Sequence, residues 1–143
     1  MNRPAWTPRQ SVAQECARRG PAQVVDGCVA LLEGREVDGE LVLALGGAPA
    51  RWAVAGGEGG PDYWLRVWAA RGLLYVWDDS ATPAVLAALS DEAWRVREMA
   101  AKVVARHRLG DALPAVAARA DDPVARVRAA AERAVVRLTN DRA

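Results

Sequence analysis

The sequence contains no Phe, one His, one Lys, and two each of Cys, Met and Tyr among 143 residues. Each scarcity excludes something. Two thiols, Cys16 and Cys28, are too few for a disulfide scaffold in a chain long enough to build its own core. With His107 alone and no Cys pair at ligand spacing, a zinc site has no ligand set, and no other metal or cofactor is expected. No apolar run reaches the length of about 18 residues that a membrane span needs. The opening Met1-Asn2-Arg3-Pro4 lacks the apolar stretch of a secretory signal, so the expected compartment is the cytoplasm, with no membrane partner. A formal net charge of +1 gives no global attraction to nucleic acid or to anionic lipid. What is abundant is Ala, at 31 residues, within a composition 52% apolar and 26% charged. That mixture favours helices over strands and a folded chain over a disordered one, at a length suited to one domain.

An internal repeat organises the rest. Asp91-Glu-Ala-Trp-Arg-Val-Arg97 aligns with Asp122-Pro-Val-Ala-Arg-Val-Arg128 at an offset of 31 residues. Carried back by the same offset, Arg97 falls on Arg66, Val96 on Leu65 and Ala100 on Ala69, while Pro114-Ala115 falls on Pro83-Ala84. Each copy reads as two helices, a short one beginning near the Pro-Ala pair and a longer one behind an acidic cap, Asp91 or Asp122, with Pro123 expected at the first helical position. Apolar residues recur at helical spacing in the long helices: Leu65, Trp68, Ala69, Leu73 and Val76; Val96, Met99, Ala100, Val103 and Val104; Val127, Ala130, Ala131, Ala134 and Leu138. One hairpin cannot bury such a stripe, so neighbouring hairpins must share a core. Upstream, Pro8–Arg19, Pro21–Glu33 and Leu41–Leu45 carry helical patterns of a more degenerate kind. The expected organisation is a single domain: 1–47 as cap and first hairpin, then repeats at 48–78, 79–109 and 110–140.

Pro, then Leu, then Asp, a Val-Arg pair, and small or aliphatic residues beyond it: in this order the repeats resemble HEAT and HEAT-like repeats, the short kind also found in phycobilin lyases. The carriers are Pro83, Pro114, Asp91, Asp122, Val96-Arg97 and Val127-Arg128, with Leu65-Arg66 as a third copy. The resemblance implies an all-α fold, a right-handed α-solenoid of about four stacked hairpins whose second helices line the concave side. It also implies that Arg66, Asp91, Arg97, Asp122 and Arg128 form a structural ladder and helix caps rather than acid–base pairs. It implies no catalytic activity, because the repeat is a scaffold used for many purposes.

Other candidates for chemistry have structural explanations. His107 falls in the column of Val76 and Leu138, near a helix end, and is expected to be half-buried. Ser11, Ser80 and Ser90 sit at expected helix starts or turns, where capping accounts for them, and no His stands near to activate a hydroxyl. The glycine run at 56–60 has no following Lys-Ser/Thr and is not a phosphate loop.

One constellation remains. Opposite the apolar stripe, the offset of 31 aligns Trp64/Arg95/Arg126, Arg71/Lys102/Arg133 and Tyr75/Arg106/Arg137. Seven of these nine are cationic and none is acidic, with Glu98 and Glu132 as mid-helix acids outside the columns. Arg71, Lys102 and Arg133 are expected to be surface side chains at the centre of this face. With 18 Arg and one Lys in the chain, such a stripe reads first as a solvated helix face, and otherwise as one that holds carboxylates or phosphates through charge-assisted hydrogen bonds. The leading expectation is a non-enzymatic interaction module that binds an acidic protein segment. The alternative is a nucleic-acid-binding protein distantly similar to the HEAT-like alkylpurine DNA glycosylases, which also carry basic faces with aromatic side chains. Oligomeric state is not legible.

Overall fold

A computed structural model describes residues 6–51 and 62–140. Among them are eight α-helices and no strand. We number them α1 (Pro8–Arg19), α2 (Pro21–Leu32), α3 (Gly39–Gly46), α4 (Tyr63–Gly72), α5 (Thr82–Ala88), α6 (Trp94–His107), α7 (Leu113–Ala118) and α8 (Ala125–Thr139). The glycine run lies outside the described residues. The chain divides into two compact units, residues 1–78 and 79–143, the boundary falling where the 79–109 repeat was expected to begin.

The N-terminal unit packs α1 against α2, α3 and α4, with α4 also against α2 and α3. Local signals set the helix limits. Thr7 and Gln10 form a reciprocal capping box ahead of α1, and Pro8 follows at the first position, where its missing N–H costs nothing. Asp38 caps α3 by accepting from the Leu41 N–H at 2.9 Å, and also receives both terminal nitrogens of Arg19, at 2.6 and 2.8 Å. The end of α1 is thereby fastened to the start of α3. Val12, Val24, Val25, Cys28, Leu41, Leu45, Trp68 and Leu73 form the core. Gly46 is needed for close approach: a Cβ there would lie 2.6 Å from the Trp68 indole and 2.8 Å from the Ala50 methyl.

The C-terminal unit is two hairpins, α5–α6 and α7–α8, with the long helices α6 and α8 lying side by side. Short 3₁₀ turns lead into each, Asp79–Ala81 and Gly110–Ala112. The helical starts keep the period of the sequence: Thr82 and Leu113 for the short helices, and Tyr63, Trp94 and Ala125 for the long ones. Val96, Ala100, Val103, Val104, Val127, Ala130, Ala131 and Ala134 are almost completely buried. Alanine on the facing surfaces lets two helix backbones approach closely, and the valines fill the remaining space.

Three local expectations need correction. Asp91 and Asp122 do not occupy the cap position, which belongs to Ala93 and Val124. Each carboxylate instead accepts from the N–H two residues on, Ala93 or Val124, both at 2.9 Å, closing a side-chain turn ahead of the helix. Pro123 accordingly precedes α8 instead of starting it. Ser11 is not a cap either. It lies within α1, and its hydroxyl donates across to the Ala44 carbonyl of α3 at 2.6 Å.

Candidate functional site

The residues of the ladder sit at the fourth position of their helices: Arg66 in α4, Arg97 in α6, Arg128 in α8. Arg97 is buried. Its Nε and Nη2 donate to the two carboxylate oxygens of Asp122, at 2.8 and 3.1 Å, and its Nη1 donates to the Asp91 and Glu92 carbonyls. One guanidinium thus joins the turn before its own helix to the turn before the next. The Asp122 side chain is fully buried. Burial alone would raise its pKa, but the hydrogen bonds from Arg97 and the Val124 N–H hold it below the usual carboxylate range. Arg128 repeats the first half of the pattern, donating from Nη1 to the Asp122 carbonyl at 2.7 Å. Arg66 is half-buried in the first turns of α4.

The nine residues of the expected basic face divide between the units. Trp64, Arg71 and Tyr75 belong to the N-terminal unit, where they are engaged locally. Trp64 stacks on the buried Trp68, ring centroids 6.2 Å apart, and Tyr75 lies under the Arg9 guanidinium at 5.4 Å. Arg71 departs from the expectation of a surface side chain. It is half-buried, its Nη2 donates to the Leu45 carbonyl at 2.8 Å, and its Nε is sealed from solvent with no partner. The sequence column could not show this, because the end of α3, against which Arg71 packs, has no counterpart at the 31-residue offset.

The other six residues come together on α6 and α8. Arg95 and Arg126, one period apart, both lie against the same indole: their guanidinium carbons are 4.4 and 5.2 Å from the Trp94 ring centroid. Further along, Lys102, Arg133 and Arg137 line an open groove of about 560 Å³ between the helices, floored by Ala105, Ala129 and Ala130. Val136 also lines it and is 58% exposed, a large apolar side chain left in water among cations. Arg106 is exposed on the last turn of α6. One member of this face lies off the 31-residue columns. Glu98, outside the columns, is buried under this face and accepts from Arg126 Nε at 3.0 Å, with Lys102 Nζ at 3.8 Å. Glu132 lines the groove as well. The face is therefore basic but not free of acid, and Glu98 holds two of its cations in place.

Little else is set up for chemistry. Burial raises the thiol of Cys16, and that of Cys28 to about 12, so both remain protonated and unreactive near neutrality. His107 is half-buried at the end of α6. Among the described residues, no three His, Cys, Asp or Glu side chains are grouped as metal ligands, and no helix is long and apolar enough to cross a membrane.

Searches of curated proteins and of solved structures returned no significant match. The HEAT-repeat family profile does match, over residues 52–135, which is more than half of the chain and includes α4 to most of α8. HEAT repeats generally serve as protein-interaction scaffolds and are typically non-enzymatic. Paired helices at a 31-residue period, joined by an Arg–Asp contact from one hairpin to the next and matched by this profile, make the chain a member of the HEAT-repeat family.

Proposed function

We propose that this protein is a non-enzymatic binding module whose α6–α8 face takes an acidic, amphipathic protein segment. One observation carries the reading: Val136 stands exposed in a groove edged by Lys102, Arg133 and Arg137. An apolar side chain of the partner would cover Val136 and the alanine floor, while its carboxylates would meet the rim cations. Apolar contact then supplies most of the affinity, and charge supplies orientation and association rate. Trp94, with two guanidinium groups against its ring, extends the same surface toward the start of the helices. The module would act in the cytoplasm, through contact with another protein and without a cofactor.

The test is a titration with an acetylated, amidated helix-forming peptide carrying Leu anchors on a Glu-rich background. Changing Lys102, Arg133 and Arg137 together to Glu should lower affinity by about a hundredfold, since attraction becomes repulsion at three points. Equal affinity for this variant and for an Arg3, Arg9 and Arg142 reversal would reject the face. Duplex DNA supplies the contrast. If it binds more tightly than the peptide, with a steep fall in affinity as salt rises, the face reads phosphates and the nucleic-acid alternative replaces this one.

A further inference from the structure

A second concavity, of about 770 Å³, lies wholly within the N-terminal unit, between the start of α1, the second half of α3 and the Ala48–Ala50 turn. Arg71 of α4 lines it and has no carboxylate partner among the described residues. That is unlike Arg19, which has Glu15 and Asp38, and Arg97, which has Asp122. Keeping a desolvated guanidinium with only a neutral carbonyl as partner is costly, and burial lowers the Arg71 pKa accordingly. With Nη2 committed to Leu45 and Nε sealed, Nη1 is the end left to meet an anion.

The rest of the lining restricts which anion. Trp6 and Leu43, both exposed, and Pro49 provide apolar walls. Glu15 and Glu40 line the same cleft, but Arg18 and Arg19 already hold Glu15, and Arg18 also holds Glu40. Arg71 and the exposed Arg51 are the cationic lining residues beyond those pairs. Two carboxylates nearby disfavour a multiply charged ligand such as phosphate, whereas a single carboxylate on an apolar body matches both the cation and the walls. We infer that this cleft is a binding site for an apolar monocarboxylate, its carboxylate on Arg71 and its body against Trp6, Leu43 and Pro49. The chemistry is met equally by a free organic acid and by the C-terminus of a peptide ending in an apolar residue.

Titration of the isotopically labelled protein with hydrocinnamate, followed by amide and arginine side-chain NMR signals, tests this. Saturable shifts are expected at Ser11, Ala44, Leu45 and the Arg71 side chain, and hydrocinnamide should produce none. A short acetylated peptide ending in free Leu, compared with its amidated form, distinguishes the two sources. Arg71→Gln should weaken binding of the acid by about tenfold or more, the loss of one charge-assisted contact. If that variant fails to fold, Ala48→Trp, at an exposed position of the wall, should fill the cleft and abolish binding while Arg71 stays. The inference is overturned if neither acid nor peptide binds, if the amide binds as well as the acid, if inorganic phosphate binds more tightly, or if a folded Arg71→Gln or Ala48→Trp protein retains full affinity.

Discussion

Arg97 contributes more to stability than any exposed arginine of the chain can, because its partner has nowhere else to go. Asp122 is fully buried, and removing the fork that holds it leaves a carboxylate in a low-dielectric site with Arg119 at 3.5 Å as a poor substitute. Arg97→Ala should therefore cost about 3 kcal/mol, measured by urea denaturation, and Arg97→Lys should recover only part, since an ammonium cannot make the paired contact. A loss below about 0.5 kcal/mol would show that water replaces the guanidinium. Titration carries a related expectation. The folded pKa values of Asp122, Glu15 and Asp38 all lie below their ordinary values, so the stability they contribute is complete above about pH 5 and is lost as pH falls below about 4, through their lowered folded values. A melting temperature constant from pH 5 to 7 and falling below about pH 4 is the expected profile. One that rises on acidification would contradict it. At this scale the sequence was legible wherever a residue recurred. Arg97 and Asp122 stand in register with copies of themselves, and repetition pointed to a structural contact. Arg71 looked equivalent to Lys102 and Arg133, yet its surroundings come from α3, which is not a repeat, and no column could reveal them.

At the scale of elements, the period fixes where helices start, while tertiary contacts decide how they end. Tyr63, Trp94 and Ala125 open their helices at one spacing, but α4 stops at Gly72 where α6 continues to His107. Gly46 is one reason the N-terminal helices pack as they do. The indole that a Cβ would strike is rigid, so Gly46→Ala should cost about 1–3 kcal/mol in a denaturation curve. A neutral result would mean that Trp68 can shift. The end of α6 offers the opposite case. Arg108 closes that helix in the left-handed conformation, φ 50°, which glycine adopts without penalty. Arg108→Gly should stabilise the fold by about 1 kcal/mol. The aspartates before α6 and α8 show why the sequence places the caps two residues too early. An acid ahead of an apolar run signals a helix start, but the signal is the same whether the side chain closes a turn or caps the first turn of the helix.

For the molecule as a whole, the family membership rests on features that recur through the chain, and the function rests on features that do not. Scaffold residues announce themselves by period. The groove is built from an exposed Val136, an alanine floor and cations whose spacing resembles that of any solvated face, so only their placement on α6 and α8 distinguishes them. If the proposed function holds, this face, and not some other surface, receives an acidic segment. The most direct measurement is an amide NMR titration of the intact chain with the Glu-rich, Leu-anchored peptide. Saturable shifts are expected at Lys102, Ala105, Ala129, Arg133, Val136 and Arg137, following one binding curve. Shifts confined to other surfaces, or none at saturating peptide, would contradict the proposed function.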